Sequence, residues 1–369
     1  MEILEFIKNN ENWEEELSKD PYNISVKKEG DLVLLKYNQI TSKKCDLTSS
    51  CRGVIIDTVN MEYVCRPFKR FFNYGEGYVP DIDWSSAVVR EKVDGSLIKV
   101  YFYNGEWRVA TNGTIDAFKA SLSLPITIGD KTISTFGDLF IHVLMDEYYT
   151  TVETLLRDRE ESTHLFELCT PYNKVVVPHV FSMIYYLSSK KNDTGEETVD
   201  EVISYFVDNP RVFSLTSLEE CISTASTMPF NEEGYVVSDK YLNRVKIKSP
   251  LYVHLHRLKS NGQIKDHDIL KIIMENETAE YLNYFPEYRI RFEIIEKGLC
   301  VYKKKLSSIL RESQVYLSND RKKFSSFAKA TSEPAFCFLL YDNKIASVEE
   351  YLNLLGERKI EMRLKYVEY

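Results

Sequence analysis

The hydrophobic pattern of this chain changes period once, and that change limits the folds open to it. Beyond about residue 260, Phe292, Ile295, Leu299, Tyr302, Leu306 and Ile309 recur at spacings of three and four, the apolar stripe of a long amphipathic helix. "HDILKIIMENETAEYL" and "SVEEYLNLLGERKIEMRL" repeat the helical period. Up to about residue 255 the pattern is instead one of short β-branched or aromatic runs, among them "DLVLLKY", "RGVIIDT", "HLFELCT", "KVVVPHVF", "GYVVSD" and "RVKIKS". Asn104-Gly105, between "SLIKVYFY" and "EWRVAT", predicts a two-residue hairpin turn. Helices are expected only at 2–18, near 139–160 and at 217–226, and "SKKNDTGEETVDE" (189–201) reads as a polar loop. A chain of 369 residues is long enough for two cores. The expected fold class is therefore α+β, a sheet-rich domain over 1–255 followed by an all-helical domain over 256–369, with "SNGQ" (260–263) near their junction.

Composition narrows the setting. No run of 18 apolar residues is present, so no membrane helix is expected. The seven cysteines are scattered, odd in number and form no C-x-x-C pair, which argues against a zinc ribbon and for free thiols in a reducing, cytoplasmic setting. The net charge of −9 does not mark a nucleic-acid binder. Locally the sign reverses: Lys240, Arg244, Lys246, Lys248, Arg257, Lys259 and Lys265 fall in a stretch without an acid, a patch suited to a polyanion.

Several residues could carry chemistry. In "EKVDGSL", Lys92 ends an apolar strand and Asp94-Gly95 turns the chain into the next. A free lysine is protonated at neutral pH and becomes a nucleophile only where its surroundings favour the neutral amine. Lys246 and Lys248 alternate with Val245 and Ile247, so both share one strand face roughly 7 Å apart. Taken alone, such a pair is an ordinary solvated face. Glu167 is an acid within the apolar run "HLFELCT", and its charge needs water or a partner. Glu233 precedes Gly234 at the start of "EGYVV", and Arg52 adjoins Gly53. Arg66, Lys69 and Arg70 form a basic cluster beside Phe71 and Phe72. His254 and His256 would share a face if "KSPLYVHLH" were a strand, with no third metal ligand in view. Phosphate-loop, dinucleotide and nucleophile-elbow motifs are absent.

The order of these pieces is more specific than any one of them. K-x-D-G, an acid in an apolar strand, E-G-Y-V and K-x-K follow one another as in the covalent nucleotidyltransferases. "KYN", "CRGVIID", "RPFKRFFN", "FELCTPYNKVVV", "KIKSPLYVHLH" and "NDRKKF" extend the resemblance, which is to the phage-type ATP-dependent RNA ligase 1 family and covers nearly the whole chain. The resemblance implies an ATP-grasp-like nucleotidyltransferase domain ahead of the helices. It implies that Lys92 attacks the α-phosphorus of ATP to form a lysyl-AMP adduct. Glu167 and Glu233 would hold the ribose and a divalent ion, magnesium or manganese, and Lys246 and Lys248 would neutralise the α-phosphate. Arg52 and Arg70 would grip the outer phosphates, with Tyr37 and Tyr252 as further pocket residues. The implied substrate is RNA with 5′-phosphate and 3′-hydroxyl ends, such as a cleaved tRNA, handled by a monomer away from membranes. One departure stands out: Asn112 in "TNGTI" replaces a lysine often found before that glycine. The rival expectation, a DNA ligase or mRNA-capping-type enzyme, would place a small β-barrel where this chain has helices. A catalytically inert RNA-binding module is the rival from another class.

Overall fold

Asn104 and Gly105 both have positive φ, 52° and 83°, the backbone a type I′ turn requires. They fold Ser96–Tyr103 back onto Glu106–Thr111, and that pair is the seed of a larger sheet. The computed structural model describes residues 2–39, 41–129, 131–173, 175–257, 264–317 and 320–364. The chain divides into two compact units, Met1–His256 and Arg257–Tyr369.

In the first unit, three larger sheets appear among the described residues. Ile24–Glu29, Leu32–Tyr37, Arg52–Asp57 and Glu62–Cys65 form an antiparallel sheet in that order. Period-two alternation divides its side chains: Val33, Leu35, Val54 and Ile56 pack with Ile3, Ile7, Trp13 and Leu17 of two N-terminal helices, Ile3–Lys8 and Trp13–Ser18. Leu32, Leu34 and Ile55 pack on Tyr101 and Ala110 of the neighbouring sheet. That sheet runs Glu197–Thr198, Met183–Lys191, Ser162–Cys169, Ser96–Tyr103, Glu106–Thr111. On its far face Ile98, Val100, Phe166, Leu168 and Ile184 are buried with the residues of helix Phe136–Tyr148. The remaining sheet runs Val212–Phe213, Val88–Glu91, Gly234–Ser238, Arg244–Lys248, Phe72–Asn73, and only its last pair is parallel. Val89, Tyr235, Val237, Val245 and Ile247 face a core shared with helix Leu218–Ala225. The alternate residues, Arg90, Val236 and Lys246, are thereby left on the other face.

The structure corrects three local expectations. The polar stretch 189–201 holds the end of one strand, the short strand Glu197–Thr198 and the start of helix Glu201–Phe206. Pro250–Arg257 is a helix, since proline fits a first helical turn. His254 and His256, two apart, therefore share no face, and the His256 side chain lies outside the described residues. "KVVVPHVF" forms no strand among its described residues, but makes the loop between Ser162–Cys169 and Met183–Lys191.

Every secondary-structure element described in the second unit is a helix. Its helices are Asp266–Met274, Thr278–Tyr284, Arg289–Gln314, Arg321–Ala330, Pro334–Tyr341, Val348–Leu355 and Glu357–Leu364. Phe292, Ile295, Leu299, Tyr302, Leu306 and Ile309 are all buried along the 26-residue helix. Each such burial contributes about 1.5–3 kcal/mol relative to exposure. In "NDRKKF", Asn319 lies outside the described residues, while Asp320 caps its helix by accepting from the Lys322 and Lys323 amides at 2.9 and 3.0 Å. Glu333 is buried and accepts from the hydroxyls of Tyr302 and Tyr351 at 3.1 and 3.2 Å and from Arg363, so one carboxylate ties three helices together. Among the described residues no helix is long and apolar enough to cross a membrane. The "SNGQ" stretch and Lys259 lie outside the described residues.

Candidate active site

A cleft of about 390 Å³ opens between the two five-stranded sheets, and Arg52, Lys92, Glu167 and Lys246 line it. The register explains why they meet. Lys92 follows the strand Val88–Glu91, and its amide donates to the Gly234 carbonyl at 2.8 Å. Lys248 is paired with Gly234, and Lys246 with Val236, which is itself paired with Arg90. Glu167 reaches the cleft from the other sheet, paired with Leu97. A side chain at 234 would close this arrangement: the Gly234 φ is 141°, and a Cβ there would lie 2.1 Å from the Ile247 carbonyl oxygen.

Lys92 Nζ donates to Glu233 Oε2 at 2.7 Å, with the lysine side chain 21% exposed and the glutamate 4%. Glu167 has its pKa pushed up to about 7, first by burial and then by repulsion from Glu233 and Asp94, against the pull of Lys92 and Arg52. Burial lowers the Arg52 pKa, opposed by Tyr37 and Glu167, while Arg244 repels it. The Arg52 guanidinium stacks over Phe68 at 4.4 Å and Phe71 at 5.7 Å, and Lys246 Nζ sits 4.8 Å over Phe71. One Arg52 nitrogen, Nη1, is buried with no hydrogen-bond acceptor, on a residue that lines the cleft.

The other expected residues stand at different removes. Arg70 does not line the cleft; its guanidinium lies 4.4 Å over the Tyr37 ring and 5.1 Å over Phe72. Tyr37 lines a separate groove with Asn112. Tyr252 is buried and donates to Asp94 Oδ1 at 2.9 Å, so it holds the turn after Lys92 and does not line the cleft. Arg66 and Lys69 are tied to Glu2, at 2.8 and 3.1 Å, away from the cleft. The basic stretch 240–265 is acid-free in sequence only: Lys240 pairs with Asp83 at 3.2 Å, and Arg244 pairs with Glu197.

Four residues were not legible as site residues from sequence. Asp94 is a hub: its Oδ2 accepts from the Val176 and Val177 amides at 2.9 and 2.7 Å, and its carbonyl accepts from His179 Nε2 at 2.6 Å. Arg90 lines the cleft two residues before Lys92, a parity that could have signalled it. Glu197 comes from a two-residue edge strand with no periodic signal. Lys99 is fully buried, its ammonium donating to the Gly53 carbonyl, and burial lowers its pKa to about 8. Asn112 Oδ1 is buried nearby without a partner.

A family model described as RNA ligase matches residues 50–252. A candidate bifunctional polynucleotide kinase/RNA ligase of Autographa californica nuclear polyhedrosis virus is 30% identical over 289 residues, which is 73% of this chain and 40% of that protein. The chain thus spans less than half the length of that relative. An RNA ligase of Rhodothermus phage RM378 is 23% identical over 318 residues, 70% of this chain and 71% of its own. Among solved structures, an archaeal ATP-dependent RNA ligase aligns over 78% of this chain and 77% of its own, with a TM-score of 0.45 and 13% identity.

Proposed function

Because this chain belongs to the RNA ligase family, we propose that it joins RNA 5′-phosphate and 3′-hydroxyl ends using ATP, through AMP held covalently on Lys92. The observation that carries this reading is a lysine paired to Glu233 at 2.7 Å in a cleft that also gathers Arg52, Lys246 and Glu167. Lys92 Nζ, once it has passed a proton to Glu233 or to solvent, forms a bond to the α-phosphorus as the bond to pyrophosphate breaks, and the proton displaced from the nitrogen goes to solvent. The 5′-phosphate of the RNA then takes the AMP, returning the lysine. The 3′-hydroxyl oxygen, giving its proton to solvent, then attacks the phosphorus of the RNA's own 5′-phosphate, so that the bond to AMP breaks and the strand is sealed.

Each of these residues, in the cleft or beside it, has a part that follows from its surroundings. Lys246 meets charge developing on the α-phosphate and Arg52 faces the outer phosphates, inside a partly dry site where fixed cations act most strongly. Lys248, on the strand beside Gly234, adds to that field. The walls Val88, Leu187 and Val236 suit the flat apolar faces of a purine. Arg70, stacked on Tyr37, would reach the outer phosphates. Glu167 and Glu233 repel each other, and a dication between them relieves that repulsion. Among the described residues no group of three or more His, Cys, Asp or Glu could hold a metal, so phosphate and water oxygens would complete the shell, as magnesium prefers. Such an ion supplies charge neutralisation at the phosphates. We assign adenylation to 1–255 and a share of the RNA contacts to the helical remainder, in a monomer working where its cysteines stay reduced.

The test is incubation with ATP labelled at the α-phosphate, with magnesium, read on a denaturing gel. Wild type should carry an acid-labile adduct, and Lys92→Ala should carry none. A normal adduct on Lys92→Ala would overturn the assignment.

A further inference from the structure

Tyr37, expected in the nucleotide pocket, lies instead in a groove of about 680 Å³ whose lining includes Asn23, Lys27, Lys36, Asn38 and Asn112. No Asp or Glu is among the described residues that line it, in contrast to the cleft of Lys92, where Glu91, Glu167, Glu197 and Asp239 are all present. The groove follows the strands Ile24–Glu29 and Leu32–Tyr37. Two lysines converge on the turn after Asn112: Lys27 Nζ donates to the Gly113 carbonyl at 2.7 Å, and Lys36 Nζ stands 3.5 Å from where a Gly113 Cβ would be. Behind them is buried Lys99, which both Lys36 and Arg52 repel. At the Tyr37 end the groove meets Arg70, stacked on the ring, and Arg52, which lines the cleft.

We propose that this groove carries the phosphodiester backbone of a single-stranded RNA into the Lys92 cleft. The proposal rests on the ligase reading and adds to it the path of the polynucleotide. Spaced lysines with amide and hydroxyl donors, and no carboxylate, are what a run of phosphates needs for positioning without base recognition. Lys27 is paired with Leu34, three residues before Tyr37, so the groove extends roughly 10 Å along the strand. That length suits successive phosphates of a strand better than the three linked phosphates of one nucleotide. The outer phosphates of ATP are the other source of the same chemistry, and the two are separable.

The 369-residue wild-type chain, Lys27→Glu and the Lys27→Ala/Lys36→Ala double variant would be titrated with a fluorescent single-stranded RNA, without ATP, by anisotropy across a salt series. Lys27 is exposed, so its charge reversal leaves the fold in place. The double variant should bind about ten-fold more weakly, and its slope of log affinity against log salt should flatten by about 1.4, near 0.7 for each phosphate no longer neutralised. Lys27→Glu should weaken binding likewise, and adduct formation by both variants should stay within about two-fold of wild type. Affinity and slope equal to wild type in both variants would overturn the proposal. Adduct formation abolished with RNA affinity intact would also overturn it, assigning the groove to the nucleotide. A wild type that forms no adduct would sink the ligase reading alone, since the binding comparison does not depend on it.

Discussion

Lys92 rests as a hydrogen-bond donor to Glu233, and an ammonium so engaged has no lone pair with which to attack phosphorus. Adenylation therefore requires that Glu233 be drawn to another cation or take the proton, and Lys92→Arg should fail because a guanidinium keeps its proton. Glu167 makes this pH-dependent. Its folded pKa, about 7, is raised above the ordinary 4.5, so the folded state holds a proton that the unfolded state has lost between those values. Its contribution to stability is thus greatest below about 4.5 and is lost as pH rises through about 7. Glu167→Gln should flatten the decline in melting temperature across that window, and a profile unchanged from wild type would refute the buried-acid account. The same titration should make metal-dependent adenylation rise through about pH 7 in wild type. Arg52→Ala should slow adenylation ten-fold or more, about the 1.5–3 kcal/mol of a charge-assisted hydrogen bond. If its partner is an outer phosphate, joining of a pre-adenylated RNA should be nearly unchanged, because that step carries no pyrophosphate.

At the scale of strands and turns, the site depends on backbone approach. Gly234→Ala would set a methyl group 2.1 Å from the Ile247 carbonyl at a φ of 141°, so the strands carrying Lys92, Glu233 and Lys248 would have to part. We expect a loss of stability above about 1–3 kcal/mol and no adduct, measured by urea denaturation and labelling. Alternation explains what was legible in the sequence: "RVKIKS" buries Val245 and Ile247 and turns Lys246 to the cleft because a strand has period two. The helical stripe beginning at Phe292 was legible for the same reason, at a different period. What stayed hidden came from pairing rather than periodicity. Glu197–Thr198 is a strand only because Ser189 and Lys190 give it partners, and no polar sequence announces that. Tyr252 matched a family position, but its placement on Asp94 follows from a helix beginning at Pro250 that the preceding strand pattern masked.

At the scale of the molecule, the proposed chemistry falls within one of the two units. Every residue assigned to adenylation lies in Met1–His256, and that unit has its own cores. A fragment ending at 256 should self-adenylate, whereas its affinity for RNA should fall relative to the full chain. A folded fragment that forms no adduct would show that the helices take part in the first step. Within that unit Asp94 joins the strand of Lys92, the loop carrying Val176, Val177 and His179, and the helix carrying Tyr252. Gly95 beside it has no room for a side chain, since a Cβ would lie 2.5 Å from the Leu168 carbonyl. K-x-D-G thus spells two different demands in four letters. A chain of this fold that lost Lys92, and with it any adduct, would still need the aspartate and the glycine to hold its strands, loop and helix together, and should be recognisable by that remnant.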